Sequence, residues 1–433
     1  MTQHSTLAQL TGCLDAYDPA ALTVEQAQHI MREFVTPLRT VEMVALRTAL
    51  DRVLARDIVS GIDVPAHDNS AMDGYALRGA DLPLSGTRRL EIVGRALAGR
   101  NWTGAVEAGE CVRIMTGAVL PPGCDTVLPQ ELVQDASATH ISIGHDAVLP
   151  GANRRLKGED LAQGEPALQA GKRLRPAELG LLASLGIAEV PVQRRVRIAF
   201  FSTGDELRSV GEILAPGCVY DSNRYTLFGM LQRLGCEVFD MGVVRDDPES
   251  LRAAFLQAAE NADAVITSGG VSVGEGDFIK QTMQELGEVT FWSVAVRPGR
   301  PMAFGRIHAG AHATGKGAYL FGLPGNPVAV MVSFYLFVRP ALLRLMGATE
   351  VAPPRMRARA LSPLRKKPGR TEYQRGILSM GADGVPEVQI SGAQGSGILR
   401  SMSQANCMVV LAHDQGEVGA GDMVDVIVFE GLV

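Results

Sequence analysis

Between Arg197 and Gly347 the chain alternates short β-branched and aromatic runs with helical segments bounded by Asp, Pro and Gly. RIAFFST precedes a helix over 225–234, EVFDMGVV one over 248–259, and DAVITSGG one over 278–286. VTFWSVAV, PMAFGRI and AYLFGL then lead to a long apolar helix after Pro327. A strand lying parallel to its predecessor needs a crossover of about a dozen residues, which a helix supplies. The alternation therefore predicts an open, mostly parallel α/β sheet with helices on both faces.

At 433 residues the chain is too long for that sheet alone, since ~150 residues make an ordinary domain. Upstream, Thr23 followed by Gln26 reads as a capping box for a helix over 24–35. A second amphipathic helix is expected over 46–54, with the polar cluster around Pro65 forming a loop. The pattern then changes to short alternating segments, RLEIVGRAL, ECVRIMTG, DTVLPQEL and THISIG, before a helix over Pro176–Ser184. This describes a discontinuous helical linker domain (14–62 plus 155–193) interrupted by a β-rich insert (63–154). The α/β domain is expected over 194–347. Beyond Pro353 and Pro354, EYQRGILSM, EVQIS, CMVVLAH and MVDVIVFE predict a small β-barrel or sandwich over 348–433.

Charge and cysteine usage narrow the function. Lys and Arg number 41 against 47 Asp and Glu, a balance without the basic field that nucleic acid binding requires. Six scattered cysteines form no CxxC pair, as expected of reduced thiols in a cytoplasmic protein. The start, MTQHSTLAQL, has no basic and apolar signal pattern. The apolar run over 328–338 is about half the ~20 residues that span a bilayer, so a buried helix and no membrane association are expected.

Ligands in open α/β sheets bind beyond the carboxyl ends of strands. Three such exits are polar or glycine-rich: Thr203, Gly204, Asp205 and Glu206; Ser268, Gly269, Gly270, Ser272 and Gly274; and Leu323 to Pro327. SGGVSVG reads as a phosphate cradle or as a tight strand-to-helix turn, and the three exits together favour binding. Asp246, Asp247 and Asp277 read as hard oxygen ligands for Mg²⁺ or as helix caps. In VAVRPGRPMAFG, Arg297 and Arg300 flank Pro298 and Gly299 before Pro301, giving an anion clamp or two solvated arginines. GAHATGKG over 310–317 resembles a P-loop only superficially, because Gly follows Lys316 and a strand follows the stretch. It is expected to be a hairpin loop. No HExxH or close histidine pair supports a zinc site, and His67 beside Asp68 reads as a general base or, more commonly for a loop histidine, as a solvated residue.

The strings DNSAMDGYALR, RIMTGAVLPPGCDTVLPQE, FSTGDEL, YDSNRY, ITSGGVSVGEGDF, RPGRPMAFG and GLPGNPV, in this order, resemble the molybdopterin molybdenumtransferase family, which includes the carboxy-terminal region of gephyrin. The resemblance implies a four-domain subunit in a homodimer, with the active site shared between subunits. It also implies a reaction in which adenylylated molybdopterin and molybdate yield molybdenum cofactor and AMP, with Mg²⁺ assisting. By motif, Asp73, Thr116, Arg155, Glu206, Asp246 and Asp277 fall on functional positions, with Asp246 and Asp277 toward the metal. Arg297, Arg300, Arg370 and Ser396 are implied to receive molybdate. The expected partners are an upstream molybdopterin adenylyltransferase and molybdoenzyme-maturation proteins. Alternatives of other classes are a non-catalytic pterin-binding scaffold and a Mg-dependent nucleotide pyrophosphatase. One departure is plain: many relatives carry lysine directly after the tryptophan matching Trp292 and in the PG turn, where this chain has Ser293, Arg297 and Arg300.

Overall fold

The computed structural model describes residues 6–12, 17–271, 277–308 and 317–429. In the central domain we label β1 (Arg197–Thr203), α1 (Ser222–Arg233), β2 (Glu237–Val244), α2 (Pro248–Asn261) and β3 (Ala264–Ser268). There follow α3 (Asp277–Leu286), β4 (Gly287–Ser293), β5 (Pro301–Ile307), β6 (Ala318–Leu323) and α4 (Pro327–Leu345). The sheet order is β2-β1-β3-β6-β5-β4. The first four strands are mutually parallel, whereas β5 and β4 are antiparallel to their neighbours. Residues 310–316 of the glycine-rich stretch before β6 lie outside the described residues.

Period-two alternation divides β1 between two cores. Ile198 and Phe200 pack with Leu227 of α1 and Val330 and Phe334 of α4. Ala199 and Phe201 pack on the other face with Leu251 and Phe255 of α2 and Ile279 of α3. Helix α4 is long and apolar enough to cross a membrane by length and composition, yet most of it is buried inside the protein. Pro340 has no amide hydrogen for the carbonyl of Leu336, four residues back. Gln28 Nε2 donates to that carbonyl at 2.9 Å, and Phe334–Val338 is wound as a π-turn. The helix Val24–Phe34 that carries Gln28 begins at the Thr23–Gln26 capping box.

Residues 46–54 do not form the expected helix. Val41–Ala45 pairs antiparallel with Glu189–Gln193, and only Leu46–Thr48 is helical, as a 3₁₀ turn. Tertiary hydrogen bonds take the backbone instead: Asp51 N–H donates to Leu174 O at 2.8 Å and Leu54 N–H to Lys172 O at 2.9 Å. Between these paired segments lies a six-stranded sheet, in order Thr126–Pro129, Gly74–Leu77, Glu110–Ile114, Thr87–Ala96, His140–Gly144 and Asp135–Ala136.

The carboxy-terminal strands close into a five-stranded barrel. Thr371–Met380 pairs with both Pro386–Ile390 and Cys407–Leu411, while Arg355–Ala360 and Met423–Val428 complete the ring. Its interior is filled by Ala358, Val388, Val409, Val424 and Val426. VTFWSVAV, expected as one strand, is broken. After Ser293 the chain leaves the sheet, and Val296–Arg297 pairs in parallel with Thr371 and Glu372 of the barrel.

Phe200 is fully buried in the core that also holds Trp292. Phe200→Ala should destabilise the α/β domain by about 3–5 kcal/mol, combining lost transfer energy and a cavity. In a Trp102→Phe background Trp292 is the one tryptophan left, and its fluorescence should report the loss as a lower denaturant midpoint.

Candidate active site

A cleft of about 1080 Å³ opens at the carboxyl ends of β1, β3 and β6. From β1 the chain moves outward to β2 and then to β3 on the opposite side of β1. This reversal leaves a crevice between the loops that follow β1 and β3. Thr203, Gly204, Glu206, Ser268, Gly269 and Gly270 line one wall. Arg297, Pro298, Arg300 and Pro301, with Arg370 and Ser396 from the barrel domain, line the other.

Geometry resolves several of the double readings. Gly269 has φ of 96°, and a Cβ there would lie 2.5 Å from the Thr203 carbonyl oxygen, so the turn itself demands glycine. Its amide donates to Leu323 O at 3.1 Å and is committed to the fold. Ser268 Oγ accepts from Asn223 Nδ2 at 2.8 Å, and the same amide group donates to Gly325 O at 2.6 Å. Asn223 thus ties two strand exits together. Asp247 caps α2, its Oδ1 accepting from Ser250 N–H at 2.9 Å, while Asp246 faces the cleft. Asp205 is exposed and does not line the cleft, because the turn after Gly204 points it outward. Asp277 opens α3, but its side chain lies outside the described residues, as do Ser272 and Gly274.

The floor is rich in unsatisfied acceptors. Thr203 Oγ1, Asn223 Oδ1 and Asp221 Oδ2 are buried without a hydrogen-bond partner among the described residues. Buried polar atoms in a native fold are ordinarily satisfied, by ordered water where protein groups do not reach them. Among the described residues no three acidic, histidine or cysteine side chains converge on a metal position. A Mg²⁺ ion that keeps several waters and shares substrate phosphates needs only one or two carboxylates, and Asp246 brings one carboxylate to the cleft.

The opposite wall is cationic and held from behind. Arg297 and Arg370 lie 3.6 and 3.9 Å from Glu372, whose side chain is only 3 % exposed. Arg375, 1 % exposed, donates to the carbonyls of Ala393, Gln394 and Gly395 and to Ser401 Oγ. Burial, reinforced by Arg297 nearby, lowers its pKa from the usual guanidinium value. These bonds shape the loop carrying Ser396, whose carbonyl accepts from Val328 N–H at the start of α4 at 3.0 Å. Sequence reasoning assigned no role to Asn223, Glu372 or Arg375. YDSNRY and GRTEYQRG displayed the residues, but nothing in either string reveals that they are buried or what they touch.

Asp73, Thr116 and Arg155 lie off this cleft, in and beside the inserted sheet. Asp73 Oδ1 accepts from Thr116 N–H at 2.7 Å and from Thr116 Oγ1 at 2.6 Å. Arg155 is paired with Asn69 in register and lies 3.9 Å from Glu159. The Thr116 hydroxyl and amide hold the Asp73 carboxyl below the usual carboxylate range.

Three family models match successive stretches of the chain. The MoeA N-terminal region (domain I and II) matches residues 22–186, a probable molybdopterin binding domain matches 199–344, and the MoeA C-terminal region (domain IV) matches 357–429. A molybdopterin molybdenumtransferase of Haemophilus influenzae is 41% identical over 416 residues, covering 95% of this chain and 100% of that protein. The chain belongs to the molybdopterin molybdenumtransferase family. A member from Nostoc is 36% identical, covering 90% of this chain and 88% of its own length. The crystal structure of a molybdopterin biosynthesis MoeA protein from Pyrococcus horikoshii OT3 superposes with a TM-score of 0.80 at 27% identity, over 94% of this chain and 100% of that one.

Because the Asp73 pKa is lowered, its bond to Thr116 is fully formed above the ordinary carboxylate pKa and is lost as pH falls through the lowered value. Carboxyl-carbon NMR should place the Asp73 titration below 3.8, the ordinary value. Thr116→Val should move it upward. An unmoved titration would mean that the hydroxyl contributes nothing.

Proposed function

We propose that this chain transfers molybdenum from molybdate to adenylylated molybdopterin, forming molybdenum cofactor and releasing AMP. The observation that carries the reading is a single cleft with chemically opposed walls: hydrogen-bonding and acidic groups at the strand ends, and Arg297, Arg300 and Arg370 across from them. A nucleotide-tagged pterin and molybdate are both anions. Bringing them together costs Coulomb energy that fixed cations offset, more effectively in a cleft than in water. Planar guanidinium forks suit a tetrahedral oxyanion because each can donate two parallel hydrogen bonds. Pro298 and Pro301 limit the backbone freedom of the turn that carries them, and Ser396 adds a hydroxyl from the barrel loop.

Glu206 and Asp246 line the cleft and would repel the phosphates of the substrate. Asp246 and Asp277 would hold Mg²⁺, which would offset that repulsion and supply counter-charge to the phosphoanhydride. Asp73, Thr116 and Arg155 enter this reading from a second copy of the chain in a cytoplasmic homodimer. The Asp73–Thr116 pair and the exposed Arg155 all lie away from this chain's own cleft, which supports that assignment. An upstream adenylyltransferase supplies the substrate, and maturation proteins of molybdoenzymes receive the product.

The test is incubation of the purified protein with adenylylated molybdopterin and Mg²⁺, with and without molybdate, following AMP and cofactor together. Molybdate-dependent release of AMP is expected. Release indifferent to molybdate would identify a pyrophosphatase, and tight pterin binding without release a scaffold. For the shared site, Asp73→Ala and Asp246→Ala chains mixed into heterodimers should recover part of the activity through one intact site. Confirmed heterodimers with none would exclude sharing.

A further inference from the structure

We infer that Ser293 is a positioning residue for oxyanion binding: its hydroxyl orients the Arg300 guanidinium and presents it to the cleft as a fixed fork. The inference rests on the proposed reading of the cationic wall and deepens it. Ser293 is the last residue of β4 and stands opposite Pro301 in antiparallel register. Its amide donates to Pro19 O at 2.7 Å, and the Val294 amide donates to Arg300 O at 2.8 Å. The backbone on both sides of the Ser293–Arg300 pair is therefore held. The arginine side chain, exposed at the cleft, has four rotatable bonds and nothing in the backbone to fix them.

What fixes it is one hydrogen bond. Arg300 Nε donates to Ser293 Oγ at 2.7 Å, spending one of the five guanidinium N–H groups. The other four, on the terminal nitrogens, have no hydrogen-bond partner among the described residues, and Arg300 lines the cleft. Anchoring at Nε sets the plane of the guanidinium while leaving both terminal nitrogens to face a ligand.

The chemistry of the anchor matters. Arg297 and Arg370 are held by the carboxylate of Glu372, which compensates part of their charge. Arg300 is held by a neutral hydroxyl, so its charge remains available to an incoming anion. A lysine at 293 would add charge but has no lone pair to accept the Nε–H, and would repel the guanidinium. Serine thus exchanges total charge for orientation, which favours a tetrahedral oxyanion that two parallel donors can grip.

The experiment measures molybdate affinity by calorimetry on the full-length protein and, under turnover with adenylylated molybdopterin and Mg²⁺, KM for molybdate and kcat. Ser293→Ala should weaken molybdate binding and raise its KM about 3- to 10-fold, with a far smaller change in kcat. Ser293→Thr, which keeps the hydroxyl, should restore both. In an Arg300→Ala background, Ser293→Ala should have no further effect, because the residue acts only through that guanidinium. An added loss in that background, or no loss from Ser293→Ala when Arg300→Ala weakens binding, would overturn the inference while leaving the cationic wall intact. Unchanged affinity in Arg300→Ala itself would instead overturn the reading of Arg300 as an oxyanion contact.

Discussion

The two-residue ladder of Val296–Arg297 against Thr371–Glu372 holds the walls of the cleft together. Its few hydrogen bonds contribute modestly by themselves, about 0.5–1.5 kcal/mol each. Their effect is geometric. Val296 sits in the α/β core and Tyr373 in the same cluster, so the junction is clamped by burial on both sides. Thr371 N–H adds a bond to Ala295 O at 2.9 Å. The strand ends that form the floor and the barrel that contributes Arg370 and Ser396 are thereby placed across one opening instead of on independently moving domains.

That junction also distributes charge. Glu372 is a buried carboxylate, and a buried carboxylate without a cation would be costly. Arg297 and Arg370 offset the cost, and the carboxylate in turn keeps two mutually repelling arginines on the same side of the cleft. Arg375 solves a different problem. It has no carboxylate among its hydrogen-bond partners and uses its N–H groups on three successive loop carbonyls and a serine, which sets the path of residues 393–395 up to Ser396. Two charged residues of one barrel strand, three positions apart, therefore shape opposite edges of the same wall.

On the floor, structural and binding roles are combined and not exclusive. Gly269 is required by its positive φ and by contact with the Thr203 carbonyl, whatever the ligand. Asn223 uses its amide hydrogens to join the β3 and β6 exits, while its Oδ1 is buried with no hydrogen-bond partner among the described residues. Asp221 behaves similarly: Oδ1 caps α1 by accepting from Arg224 N–H, and Oδ2 has no bond among the described residues.

The periodic elements were legible in the chain alone, because local chemistry specifies them: alternation in RIAFFST, Asp-Pro before α2, the Thr23–Gln26 box, and the short strands of the carboxy-terminal domain. The strand-end loops with their Gly, Ser and Arg residues were legible for the same reason, since turns and ligand cradles draw on a narrow set of residue types. What sequence did not determine is every relation between distant segments. Residues 46–54 have a helical pattern, but Asp51 and Leu54 give their amides to Leu174 and Lys172, and VTFWSVAV breaks at Ser293 because its end pairs with a barrel strand far along the chain. Asp246 and Asp247 are chemically alike and adjacent, and only the direction of the chain leaving β2 makes one a cap and the other a cleft residue. Propensity and periodicity act over a few residues. Burial, counter-charge and the closing of a site depend on which surfaces meet, and that is decided only when the domains pack.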